Sequence, residues 1–287
     1  MCRNHGHDHL LLCGYDYRIG YATMNNHTLI KKLLALACLA AGLCTSQCQT
    51  IRMSNERLEL EINLAAGGRV TALRDKRRGQ DWTRFTDSPG GSGLFTDALS
   101  EPISRKADTR YRTAVYSVVS RQDGQEKRLV LRSPAGLPLD ILKTYCLPAD
   151  SDTLTVEYEI TNPGAKAVVT SFWGGNALAN PGESSYRLDF PTARFSHGWT
   201  PQTPVQKNCR SYQTGTGTST DCFFFQPDRG YAAVTAKAGT AVLEMPFALL
   251  DFLYTWESPS VDGLAIIDWF SLPFQLPPLA QGQAEVA

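Results

Sequence analysis

Six residues carry the side chains this chain would need for chemistry on a small polar ligand. Asp268 lies in the run Ala265-Ile266-Ile267-Asp268-Trp269-Phe270. A carboxylate among apolar neighbours tends toward a raised pKa, the condition a general acid or base exploits. Strand alternation puts it on one face with Ile266 and Phe270, opposite Ile267 and Trp269. The structural alternative is a paired carboxylate, with Arg69 or Arg112 as partner. His197, beside Trp199 in the polar stretch Ser196-His197-Gly198-Trp199, is the candidate second acid or a donor to ligand hydroxyls. Trp173 and Trp199 offer flat apolar faces on which a ring can stack, although core packing takes most tryptophans. Asn176 follows Gly174-Gly175 and either binds a hydroxyl or holds its own turn. Arg69 follows Gly67-Gly68 and either reaches the ligand or ends in a salt bridge.

The elements that must position these groups read as β throughout. Leu58, Leu60, Ile62 and Leu64 alternate with Glu59, Glu61 and Asn63, the period of a half-buried strand. Gly67-Gly68 supplies the positive-φ freedom of a hairpin, and Arg69 to Leu73 resumes the strand. Tyr111 to Ser120, Glu126 to Arg132, Leu139 to Cys146 and Thr153 to Thr161 continue the pattern between turn signals. Phe223 to Phe225, Tyr231 to Ala236, Ala241 to Met245, Phe247 to Trp256 and Leu264 to Phe270 complete it. Thr83 to Ile103, Ala179 to Tyr186 and Phe195 to Thr220 are expected to be long loops, a common place for function.

Lys+Arg and Asp+Glu number 28 each, so no basic excess exists to neutralise a phosphate backbone and nucleic acid is not an expected partner. Lys31-Lys32, the apolar run from Leu33 to Leu43 and the small residues after it match a signal peptide. That run, about 11 residues, is too short for the roughly 20 that span a bilayer, so no transmembrane span is expected. Residues 1–23 are expected to be an extension ahead of a true start at Met24, and residues 24–48 the leader. Residues 49–287 are expected to form one β-sandwich domain of an exported protein, periplasmic or secreted, with a lipid anchor at the leader exit as the alternative. After the expected closing turn at Gln281-Gly282-Gln283 only Ala284 to Ala287 remain, so the expectation is either a very short last strand or a truncated chain. Cys209 and Cys222 flank a Thr/Gly-rich loop that a disulfide would close. No cofactor or metal is expected, since no clustered Cys/His spacing occurs.

The hairpin ending in Asp75 and Gly79, the strand pair from Lys143 and Tyr145 through Thr161-Asn162, and the tail from Gly263 to Asp268 with Leu279 to Gln283 together resemble the galactose mutarotase-like (aldose 1-epimerase-like) superfamily. That resemblance implies an all-β fold, a large antiparallel β-sandwich or supersandwich, and a carbohydrate ligand. Sugar 1-epimerases of this superfamily pair a His general acid with a carboxylate base. The stretch matching their His motif is Ser171-Phe172-Trp173-Gly174-Gly175-Asn176-Ala177-Leu178, which has no His, and Asp268 stands where epimerases place Glu. The resemblance thus implies a divergent exported member that binds carbohydrate through Trp173, Asn176, Trp199 and Arg69. The alternatives are an epimerase or lyase-like enzyme using Asp268 with His197, and a structural cell-envelope sandwich without a sugar site.

Overall fold

Alternation builds the first sheet. Leu58, Leu60 and Ile62 are fully buried, while Glu59 on the other face pairs with Arg74 at 2.6 Å. The computed structural model describes residues 9–12, 15–18, 50–83, 93–104, 106–179, 187–190, 192–197, 210–213, 220–236, 239–257 and 264–278. In chain order the strands are His9–Leu12 (β1), Tyr15–Arg18 (β2), Thr50–Ser54 (β3), Leu58–Asn63 (β4), Arg69–Asp75 (β5), Gln80–Asp81 (β6), Thr96–Ser100 (β7) and Ala107–Asp108 (β8). A single helical turn, Arg110–Thr113 (α1), precedes Ser117–Asp123 (β9), Glu126–Arg132 (β10), Asp140–Pro148 (β11), Thr155–Thr161 (β12) and Val168–Ala179 (β13). Arg187–Phe190 (β14), Thr192–His197 (β15), Arg210–Gln213 (β16), Thr220–Pro227 (β17), Tyr231–Ala236 (β18) and Gly239–Glu244 (β19) follow. Leu250–Glu257 (β20), Leu264–Ser271 (β21) and Phe274–Leu276 (β22) close the series.

The long sheet runs β15-β17-β20-β21-β13-β7-β8, with β22 alongside β13. One five-stranded sheet runs β2-β12-β11-β10-β9, the other β1-β19-β18-β14-β16, and β3 to β6 form a four-stranded sheet. All pairings are antiparallel except β1 on β19 and β2 on β12, which add parallel edges from a segment where the sequence shows no period. Phe172 of the long sheet meets Tyr158 of β12 at 4.8 Å between ring centroids, and Phe224 meets Phe190 of β14 at 4.2 Å. The long sheet therefore packs on both five-stranded sheets. The expected all-β sandwich is the architecture of this chain.

Three local expectations are corrected. Tyr111 to Ser120 is not one strand: Tyr111 and Arg112 belong to α1, and the strand begins at Ser117. The reason is Tyr111, whose hydroxyl donates to the Leu139 carbonyl and accepts from the Leu139 N–H, each at 2.9 Å, which turns the chain inward. The stretch Thr83 to Ile103 contains β7, buried at all five positions, because Asp97 finds a cationic partner inside. Phe195 to Thr220 likewise contains β16 and the end of β15. Cys209 and the closing turn at Gln281 to Gln283 lie outside the described residues. Cys146 is a buried free thiol.

Candidate functional site

Across the long sheet, one row of backbone partners runs Thr96, Gly175, Asp268, Tyr254. The next row on the same face runs Ala98, Trp173, Phe270, Phe252. Asp268 thus shares a face with Trp173 and Phe270, while Ile267 and Trp269 point into the core at 0% exposure. The alternation argument places these side chains correctly.

Two adjacent glycines make this arrangement fit. A Cβ on Gly174 would lie 2.2 Å from Trp269 Nε1, so the missing side chain admits the indole on the core face. A Cβ on Gly175 would lie 2.3 Å from Thr96 Oγ1 and 3.2 Å from Asp268 Oδ1 on the other face. The motif Ser171 to Leu178 therefore supplies space at two glycines and one indole.

Asp268 accepts a hydrogen bond from Trp173 Nε1 at 2.8 Å on Oδ2. Burial pushes its carboxyl up to about 6, and the nearby Arg112 charge, the indole and the Asn176 N–H oppose that rise. Trp173 is half-buried. Its ring stacks on Phe270 at 4.9 Å, and Phe270 stacks on Phe252 at 4.3 Å, an aromatic ladder over three strands. The Arg112 guanidinium carbon sits 4.1 Å from the Trp173 ring centroid. In the sequence, Arg112 is marked only as a pairing partner for Asp268. Its place at the site comes from α1, whose turn the alternating pattern concealed.

The remaining candidates divide. Asn176 is buried and engaged at both ends, its carbonyl oxygen accepting from the Phe95 N–H at 3.0 Å and its amide donating to the Ile267 carbonyl at 3.2 Å. It braces Phe95, a non-glycine residue at φ 59°, and so supports the face from behind. Arg69 is buried too, donating to the Ala66 carbonyl at 2.7 Å and to the Arg112 carbonyl, so it fixes the main chain of α1. Burial, with Arg112 nearby, lowers the Arg69 pKa. Backbone register places His197 opposite Cys222 on β15, three strands from β21, or about 14 Å at the usual strand spacing. The His197 side chain and all of Trp199 lie outside the described residues.

Lys143 and Tyr145, with Tyr158 and Asn162, turn out to be interior. Lys143 Nζ contacts both Asp97 oxygens at 3.0 Å with both side chains at 0% exposure, and it also donates to the Phe95 carbonyl. Tyr158 donates to Asp97 at 2.7 Å. A separate groove of ≈ 470 Å³ is lined by Ser100, Lys106, Asp108, Arg110, Leu139 and Val169 among others. Arg110 and Asp108 there pair with each other at 2.6 Å, and Asp268, Trp173 and Arg112 do not line it. A perturbed carboxylate beside a half-open indole makes the Asp268 face the better candidate.

This geometry belongs to a sandwich of the galactose mutarotase-like type. A galactose mutarotase-like protein from Clostridium acetobutylicum matches with a TM-score of 0.62 at 14% identity, over 80% of this chain and 91% of that one. The Slr1438 protein from Synechocystis sp. PCC 6803 matches at 0.61 and 15% identity, over 80% and 91%. A galactose mutarotase related enzyme from Lactobacillus acidophilus matches at 0.55 and 11% identity, over 80% and 93%. No protein-family model and no curated protein matches the chain. At these identities the likeness establishes the fold. Among the described residues, no helix is long and apolar enough to cross a membrane.

Proposed function

We propose that the protein is an exported carbohydrate-binding sandwich whose ligand lies on the Asp268 face of the long sheet. The observation that carries this is the half-buried Trp173, held edge-on by Asp268 and extended by Phe270 and Phe252. A pyranose presents apolar C–H faces to such a ring and hydroxyls to the carboxylate beside it. The likeness to mutarotase-like structures supports a sugar rather than another flat ligand. Binding is favoured over epimerisation because the mutarotase-like acid is missing from Ser171 to Leu178, and His197 is three strands from Asp268 by backbone register. On this reading the chain is a divergent member of that superfamily.

Calorimetric titration of neutral and acidic monosaccharides tests the proposal. Saturable binding to the wild type, weakened at least about tenfold in Trp173→Ala, is expected, on the scale of about 1–3 kcal/mol that base stacking on an aromatic contributes. No binding of any sugar would sink the carbohydrate reading.

The second reading, an epimerase, draws on Asp268, whose carboxyl at about 6 suits proton transfer near neutral pH. Anomer exchange by NMR separates the two. Exchange that depends on Asp268 would make the protein an enzyme, and its absence with binding intact would leave a binder. Export follows from the leader pattern at Lys31 to Ser46, and fractionation of the full chain checks it. Retention of the intact chain in the cytosol would overturn export. Membrane retention with metabolic fatty-acid labelling would favour the lipid anchor.

A further inference from the structure

Arg112 holds a buried positive charge without a counter-ion in contact. The residue is 8% exposed, its Nε is buried without a hydrogen-bond partner, and its guanidinium donates to no described residue. Two carboxylates, Asp268 and Asp97, act on its charge from a distance, while burial lowers its pKa. Neither is in contact with it. Asp97 gives both oxygens to Lys143 at 3.0 Å and also accepts from Tyr158 and Tyr116. Asp268 gives Oδ2 to the Trp173 indole. What holds the arginine is its main chain, through the Thr109 carbonyl at 3.0 Å and the Arg69 side chain, together with its stacking over Trp173. A cation–π contact is weaker than the cost of burying an unpaired charge. An arrangement that fixes the backbone and leaves the guanidinium unmatched suits a group that receives its anion from outside.

We propose that the ligand of this face is an acidic sugar, whose oxyanion substituent is bound by Arg112 while its ring lies against the outer edge of Trp173. The inference rests on the carbohydrate reading above and names its substrate class. A planar guanidinium matches a carboxylate with two parallel hydrogen bonds, and it also accepts a phosphate. Both sources share the chemistry of an oxyanion fixed to a sugar ring.

The test compares D-glucuronate with D-glucose, D-galacturonate with D-galactose, and glucose 6-phosphate, at one fixed salt concentration, by titration of the full chain. Acidic sugars are expected to bind at least about tenfold more tightly than their neutral counterparts, the scale of one charge-assisted hydrogen bond. That preference is expected to fall below about twofold in Arg112→Met and to survive in part in Arg112→Lys, which keeps the charge without the fork. Tighter binding of the uronates than of glucose 6-phosphate identifies the carboxylate as the source, and the reverse identifies the phosphate. Equal binding of neutral and acidic sugars by the wild type would overturn the anion while leaving a carbohydrate site. Acetate or inorganic phosphate binding as tightly as the acidic sugars would overturn the sugar ring. Failure of every sugar would overturn both. The wild-type comparison decides the matter even if Arg112→Met does not fold.

Discussion

Asp268 is a carboxylate whose neighbours both favour and oppose its charge. Burial raises its pKa from the ordinary 3.8 to about 6, so the folded chain holds that proton more tightly than the unfolded one. The stability this contributes is full below about pH 4 and is lost as pH rises through 6. A shift of that size is worth about 3 kcal/mol at about 1.4 kcal/mol per unit. Asp268→Asn removes the titration and keeps an oxygen for the Trp173 indole. We therefore expect Asp268→Asn to match the wild type near pH 4 and to exceed it by up to about 3 kcal/mol near pH 8. Urea midpoints at the two pH values check this, and a difference that does not change with pH would contradict it.

The hairpin between β4 and β5 does more than reverse the chain. Gly67 has φ +71°, and a Cβ there would lie 2.5 Å from the Tyr111 carbonyl oxygen. Its N–H donates to the Ala114 carbonyl at 2.9 Å, so this glycine seats the turn that carries Arg112. Gly79 has nearly the same φ, +65°, with nothing within 4 Å of its would-be Cβ. The two positions separate backbone strain from steric contact. Gly79→Ala is expected to cost about 1 kcal/mol, the left-handed penalty alone. Gly67→Ala should add about 1–3 kcal/mol for the collision and shift the Trp173 indole resonance as α1 moves. Equal costs in thermal unfolding would mean that α1 does not rest on Gly67. These glycines also show what the sequence could and could not tell. Period and turn chemistry placed β4, β5, β12 and β21, and they put Asp268 on the face it occupies. They failed at α1, β7 and Asn176, because there a distant partner overrides local preference. Leu139 pins Tyr111, Lys143 draws Asp97 inside, and Phe95 takes the Asn176 carbonyl. None of these contacts leaves a periodic mark.

At the scale of the whole molecule, the layers are joined by a charge pair that no residue near it in sequence supplies. Asp97 comes from β7 of the long sheet, Lys143 from β11 of the five-stranded sheet, and Tyr158 from β12 directly opposite Lys143. Tyr116 adds a further donor at 3.3 Å, and the Tyr145 hydroxyl reaches the Gly68 carbonyl at 2.5 Å, tying in the hairpin. The long sheet, one five-stranded sheet and the four-stranded sheet thus meet around one cluster. Burial raises the Asp97 pKa and lowers that of Lys143, and each group's partner opposes the change. Removing one charge strands the other, whereas removing both leaves neutral groups that the hydroxyls still satisfy. Lys143→Met alone is therefore expected to cost about 3–5 kcal/mol. Lys143→Met with Asp97→Asn should recover at least about 2 kcal/mol of that, because the Asn oxygen still accepts from Tyr158. Chemical denaturation of the two single variants and the double variant completes the cycle. If the double variant costs the sum of the singles, the pair does not act as a unit, and the sheets are held together by the surrounding aromatics instead.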